Sequence, residues 1–407
     1  MSEALRDTDA VVVVGAGLAG WRLSEALRRR GFTGRLTLIG AEPDHPYDRP
    51  PLSKQVLAGT LDESELSLER GDESTTMTWR LGTAAVGLNV AARQVTLANG
   101  EVVEGSRIVV ATGVRARRLA VSAGDRMHYV RTLPDVRGLL ADLARARPVA
   151  PVVVIGGGFI GAEVATSLTH RGHRVVVLEA LERPLLSVLG PTVSQWLVDL
   201  PSQAGVELRT SCSVRDVASE GDEFVVELAD GTTLRASAVV AGVGAEPNTE
   251  WLAGAGVTLD NGVVVDGDFA AAPGVAAIGD VARFPWHGPT GIEATRIEHW
   301  QVANDHAAEL ARLWTGEAGV RPPLIPYFWS DQYGAKVQVL GHPQPTDAVR
   351  LVTGEPGAAR WLALYSRNAV VSGVVALRSP RALTLSRSLL AAPTALDDAV
   401  AQAPWSR

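Results

Sequence analysis

Two stretches of the chain share one succession of apolar and polar positions. Ala10–Val14 (AVVVV) is unbroken apolar sequence, as expected of a parallel strand buried on both faces. Gly15, Gly17 and Gly20 follow it and open a helical stretch to about Arg30. A second strand, RLTLIG, ends just before Glu42. RQVTLANGEVVEG alternates and breaks at Asn99-Gly100, which predicts a hairpin, and a strand follows over 107–113. The pattern then recurs. PVVVIGGGFIGAE carries Gly156, Gly158 and Gly161, and RVVVLE ends at Glu179. FVVELADGTTL predicts a hairpin at Asp230-Gly231, and AVVAGVG at 238–244 stands where IVVATG stood in the first copy.

Past this repeat come VAAIGDVARF and a predicted long helix from about Ala294 to Leu313. From Pro322 the texture changes to short strands (YFWSDQ, AKVQVLG, WLALYS, VVSGVVAL) and a final helix near 380–391. The fold class expected is α/β, with two Rossmann-like dinucleotide-binding domains and a C-terminal α+β domain. The first domain is discontinuous, 1–113 and 242–321; the second spans 114–241 and the third 322–407.

Composition narrows the function. With 407 residues, 46% hydrophobic and 20% charged, the chain reads as an ordinary globular protein, and its charge of -7 argues against a nucleic-acid partner. The start MSEALRDTDA has no apolar signal core, and no run is long enough to span a bilayer, so membrane insertion is not expected. The single cysteine, Cys212, excludes a disulfide framework, a cysteine-ligated iron–sulfur cluster and a redox dithiol within the chain, and fits a reducing, cytoplasmic setting. No metal site is expected.

Each glycine motif follows an apolar strand, opens a helix and precedes an acid that ends the next strand, the context in which the motif binds a dinucleotide. Gly15 allows the tight turn, Gly17 lets backbone approach a pyrophosphate and Gly20 lets helix pack on strand. Glu42 and Glu179 are placed to accept hydrogen bonds from ribose hydroxyls. The loop YDRPPLSK (47–54) adds two cations on a proline-stiffened backbone, which suits a first nucleotide carrying an electron-rich ring, as in FAD.

VVVVGAGLAG, RPPLSK, ATG, GGGFIGAE, GVGAEPN, AAIGD and YFWSDQ resemble, in order and spacing, the oxygenase-coupled, FAD-dependent NADH–ferredoxin reductases, the family of putidaredoxin and rubredoxin reductases. The likeness covers nearly the whole chain and implies the glutathione-reductase-like two-dinucleotide-binding fold. It implies FAD on Gly15, Ala16, Gly17, Gly20, Glu42, Arg49, Lys54, Ala85, Thr112, Gly113, Arg131, Gly279, Asp280 and Trp300. It implies NADH on Gly156, Gly158, Ile160, Gly161, Glu163, Glu179, Gly242 and Gly244. Lys54 is implied to pair with Glu163 where hydride arrives, and Trp329 to cover the nicotinamide face.

The partner implied is a small iron–sulfur ferredoxin that feeds a cytochrome P450 or a ring-hydroxylating oxygenase, docked transiently through charge. Such ferredoxins are generally acidic, and Arg49, Arg296 and Lys336 are the candidate docking cations. Relatives with a thiol beside the flavin differ here, because PPLSKQVL has no cysteine and Cys212 lies far along the chain as a small core residue. Glu179 favours NADH over NADPH, although Arg183, four residues on, could receive a 2′-phosphate. A flavin NADH oxidase, a small-molecule reductase and a redox-sensing interaction protein like the apoptosis-inducing factors remain alternatives.

Overall fold

Uninterrupted valine and isoleucine place parallel strands at the centre of each predicted unit, because such runs are stable only when both faces are covered. The computed structural model describes residues 4–69, 76–145, 150–317 and 324–406. Its first sheet has six strands in the order Ala270–Ala272, Val275–Ala277, Arg107–Val110, Ala10–Val14, Arg35–Ile39 and Thr78–Arg80. Ala10–Val14 pairs in parallel with Arg35–Ile39 on one side and Arg107–Val110 on the other. The crevice between them, at the carboxyl end of Ala10–Val14, is where open α/β sheets bind ligands. The second sheet repeats the plan with Glu207–Arg209, Val175–Leu178, Val152–Ile155 and Ala238–Ala241, all parallel. Both predicted hairpins form, Gln94–Leu97 with Val102–Glu104 and Glu223–Leu228 with Thr233–Ala236.

The C-terminal sheet is antiparallel: Tyr327–Gln332, Ala335–Gly341, Val370–Leu377, Trp361–Arg367 and Ala348–Thr353. One apolar cluster joins it to the rest. Leu52 from the proline loop, Val56 from the short Gln55–Ala58 helix after it, Val164 and Leu168 from the Phe159–His170 helix, and Val337 and Tyr365 from the C-terminal sheet pack together there. The proline loop is thus seated on two other parts of the molecule.

Several predicted elements differ. The helix expected from Ala294 begins at Trp300 and runs to Trp314. Gly291–Thr295 is instead a strand paired antiparallel with Ala282–Gly288, a tertiary contact that overrides the helical spacing of EATRIEHW. Strands 107–113 and 238–244 end at Val110 and Ala241, and the remaining residues cross over the glycine turns. The final helix splits into Pro380–Leu385, a 3-10 turn over Ser386–Leu390, and a separate helix Leu396–Gln402. The strand Ala348–Thr353 was not predicted. The expected boundary at 321/322 lies outside the described residues. Among those described, no helix is long and apolar enough to cross a membrane.

Candidate functional site

The first glycine turn is built by close approach. Gly15 has φ +118, and a Cβ there would stand 2.1 Å from the Ala111 carbonyl oxygen. A Cβ at Gly20 would stand 2.0 Å from the Gly15 carbonyl oxygen. Packing therefore explains both. Gly17 is different: a Cβ there meets nothing within 4 Å, so the fold does not require that glycine. A ligand lying against the backbone does require it, and Gly17 is the N-cap of the Leu18–Arg29 helix, whose free amides favour an anion.

The other predicted FAD residues gather around this turn. Ala16 packs on Gly40, and Gly82 and Thr83 donate to the carbonyls of Glu42 and Gly40 at 2.9 and 3.1 Å, which brings the start of the Ala85–Asn89 strand alongside Glu42. Thr112 Oγ1 donates to the Asn248 carbonyl at 2.8 Å, and Gly113 has φ +63 beside Arg131. Gly279 packs against Ala19 in the first turn of the helix, placing Asp280 next to the glycine turn.

Charges alternate across the site. Arg49 Nη2 donates to Glu42 Oε1 at 2.5 Å and its Nη1 to the Arg131 carbonyl at 2.8 Å; Arg131 Nη2 in turn reaches Asp280 Oδ2 at 3.2 Å. Burial raises the Asp280 carboxyl pKa, and the Arg131 guanidinium works against it. Tyr47, whose phenol burial pushes up, donates to Glu42 Oε2 at 2.5 Å. Asp48 accepts from Trp300 Nε1 at 2.8 Å, fixing that ring against the loop.

The proline loop thus delivers its two cations to different carboxylates. Pro50–Ser53 is a 3-10 turn that sets Arg49 and Lys54 apart: Arg49 goes to Glu42, while Lys54 Nζ goes to Glu163 Oε2 at 2.8 Å. Glu163 is 3% exposed and also accepts from Ser53 Oγ at 2.6 Å and Ser330 Oγ at 2.7 Å. Trp329, on the opposite face of its strand from Ser330, stands 6.4 Å from Trp300 and 5.8 Å from Tyr327.

The second glycine turn repeats the first. A Cβ at Gly156 would meet the Gly242 carbonyl oxygen at 2.5 Å and one at Gly161 the Gly156 carbonyl oxygen at 2.0 Å, whereas one at Gly158 finds only Gly242 oxygen at 4.0 Å. Gly244 has φ +102 and Ile160 is 44% exposed at the rim. Glu179 accepts from the amides of Gly157 and Leu181 at 2.7 and 2.8 Å, which holds its carboxylate on the turn. Arg183 is engaged elsewhere, with the Pro191 carbonyl at 3.0 Å and with Glu182. The residues fit two dinucleotides, and neither Gly17 nor Gly158 has a packing reason to lack a side chain.

Two docking expectations are corrected. Arg296 is 8% exposed and is spent on the carbonyls of Asn261 and Asp280 and on Glu298, so it offers no charge to a partner. Arg49 lies within the site, tied to Glu42, and is not a surface cation. Lys336 is 47% exposed and pairs with Asp331 at 3.3 Å. Cys212 is half-buried, its Sγ 3.3 Å from the Thr210 carbonyl oxygen, against the cluster of Val217 and Phe224. Sequence reasoning missed Tyr47, Asp48, Ser53 and Ser330 as site residues, although all four lie inside motifs it singled out.

Comparison with known proteins matches residues 9–307 to the pyridine nucleotide-disulphide oxidoreductase family and 327–405 to a reductase C-terminal family. Rhodocoxin reductase of Rhodococcus erythropolis is 34% identical over 389 residues, covering 94% of this chain and 89% of that one. The ferredoxin–NAD(+) reductase component of a p-cumate 2,3-dioxygenase system from Pseudomonas putida is 34% identical over 391 residues, covering 94% and 93%. Among solved structures, the covalent putidaredoxin reductase–putidaredoxin complex is similar with a TM-score of 0.87 at 32% identity, covering 95% of this chain and 93% of that one.

Proposed function

The chain belongs to the pyridine nucleotide-disulphide oxidoreductase family, among its ferredoxin reductases, and from that membership we propose how it works. It is a flavoprotein oxidoreductase that takes hydride from NADH and passes single electrons to a small iron–sulfur ferredoxin, which supplies a cytochrome P450 or a ring-hydroxylating oxygenase. The observation that carries this reading is the Lys54–Glu163 pair at 2.8 Å, set between two glycine turns in a loop without cysteine. With no thiol there to take them, electrons leave the cofactor directly.

FAD, when bound, supplies the chemistry of accepting hydride and releasing electrons one at a time. The chain supplies orientation and charge. Gly15, Ala16, Gly17 and Gly20 would hold the pyrophosphate, Glu42 and Ala85 the adenosine, Thr112, Gly113, Arg131, Gly279 and Asp280 the ribityl side, and Trp300 the far ring edge. Arg49 holds the Glu42 carboxylate in its orientation. Gly156, Gly158, Ile160, Gly161, Gly242 and Gly244 would hold NADH, Glu179 its ribose diol, and Trp329 would keep water from the nicotinamide. We take the dinucleotide domains as 1–113 with 242–321 and 114–241, the third domain as 322–407, and the location as cytoplasmic.

The test is NADH-driven cytochrome c reduction with a panel of [2Fe–2S], [3Fe–4S] and [4Fe–4S] ferredoxins. Turnover is expected only when a ferredoxin is present. Equal turnover without one, with matching oxygen consumption, would establish an oxidase and overturn the reading.

A further inference from the structure

The Phe159–His170 helix turns Glu163, Thr166 and Ser167, at three- and four-residue spacing, into an otherwise apolar junction. Ser167 Oγ donates to the carbonyls of Ser53 and Lys54 at 2.7 and 3.1 Å, and Thr166 Oγ1 accepts from the Tyr333 amide at 2.7 Å. These contacts fasten the helix to the proline loop and to the C-terminal sheet. Glu163 does more than fasten. Its two oxygens have separate partners: Oε2 takes Lys54 Nζ and Ser53 Oγ, and Oε1 takes Ser330 Oγ.

That separation controls the ammonium. The last torsion of a glutamate is broad, so a carboxylate with one unbonded oxygen can turn and offer both oxygens to a neighbouring cation. Ser330, fully buried, pins Oε1 and leaves Lys54 only Oε2. Lys54 Nζ also lies 3.3 Å from the Pro50 carbonyl oxygen, and its third N–H has no partner among the described residues. We infer that Ser330 is a positioning residue: by holding Oε1 it stops Glu163 from turning to engage Lys54 twice and keeps one ammonium N–H for the cofactor. The inference rests on the reading above that Lys54 faces FAD.

A purely structural clasp would make every hydrogen bond at this junction equivalent, and the test uses that difference. FAD-loaded protein is mixed anaerobically with NADH, and the FAD midpoint potential is measured separately by equilibrium dye reduction. Ser330→Ala should lower the limiting rate of reduction about tenfold, the loss expected when a charge-assisted hydrogen bond is removed, with the Kd for NADH within about twofold. Its potential should move negative, because a doubly engaged ammonium stabilises the reduced, more negative cofactor less. Ser330→Cys, a weak donor, should fall between. Thr166→Val, which cuts a junction hydrogen bond of the same 2.7 Å length without touching Glu163, should keep the wild-type rate and potential. Adding Ser330→Ala to Glu163→Gln should slow reduction no further. Where Ser330→Ala loses FAD, Ser330→Cys carries the same test through Oε1. An unchanged potential in both Ser330 variants, or a Thr166→Val variant that matches Ser330→Ala, sinks the inference. If wild-type FAD is not reduced by NADH, the functional reading fails on its own, and the potentials still decide the role of Ser330.

Discussion

His299 stands against Phe328 with ring centroids 4.4 Å apart and its Nδ1 buried without a partner among the described residues. Burial, with a smaller push from His342, lowers its pKa from 6.5 to about 3. The sign follows from linkage. Below pH 6.5 the unfolded chain binds a proton that the native ring refuses, so the contribution to stability is complete above 6.5 and is lost as pH falls toward 3. Between pH 7 and 5 the wild type should lose about 1–2 kcal/mol more than His299→Gln, read from urea unfolding at the two pH values. Equal losses would show that the ring protonates in the native state. The same scale explains what sequence left unread. Ser53 and Ser330, 277 positions apart in sequence, are brought together by Glu163, which lies 110 residues from one and 167 from the other. A serine carries no periodic signal, so its partner is visible only in the fold. Arg296 misled for the opposite reason: a charged side chain reads as exposed until its acceptors are known.

At the scale of elements, both glycine turns, their helices and the acids after them were legible, because a buried strand entering a tight turn leaves few residue choices. The Ala282–Gly288 and Gly291–Thr295 hairpin was not, since only strand pairing distinguishes it from the start of the Trp300 helix. Within the first turn the glycines divide by cause, and the division is testable. Gly15→Ala must place a Cβ 2.1 Å from backbone at φ +118, so it should fail to fold or lose more than about 3 kcal/mol. Gly17→Ala has open space and an ordinary φ of -84. Its apoprotein should therefore melt close to wild type, while a methyl against the pyrophosphate weakens FAD binding by about 2 kcal/mol, roughly thirtyfold. Calorimetry of the apoprotein with an FAD titration separates the two. A Gly17→Ala protein that binds FAD like the wild type would remove the ligand from that turn.

For the whole molecule the charge is unevenly placed. Residues 322–407 carry eight Lys and Arg against five Asp and Glu, although the chain as a whole is at -7, so the C-terminal domain is basic on an acidic body. An acidic ferredoxin would be repelled by most of the surface and drawn to this part. At one end of the C-terminal sheet the Arg378 amide donates to the Lys336 carbonyl, and the Arg378 guanidinium bonds the carbonyls of Gly334 and Ala359, next to exposed Arg360. Among the described residues Lys336 is held there only by a 3.3 Å surface pair with Asp331, the two being 47% and 40% exposed, so a partner's carboxylate can replace Asp331 at little cost. Lys336→Glu should raise the KM for ferredoxin about threefold and flatten its dependence on salt, since the attraction it reverses is the screened one. NADH-driven ferricyanide reduction, which needs no protein docking, should stay as in the wild type, because Lys336 lies outside the residues proposed to hold either dinucleotide. If Lys336→Glu leaves the KM and its salt dependence unchanged, the ferredoxin approaches by another face; if both activities fall together, the substitution has reached the Trp329 strand through Asp331.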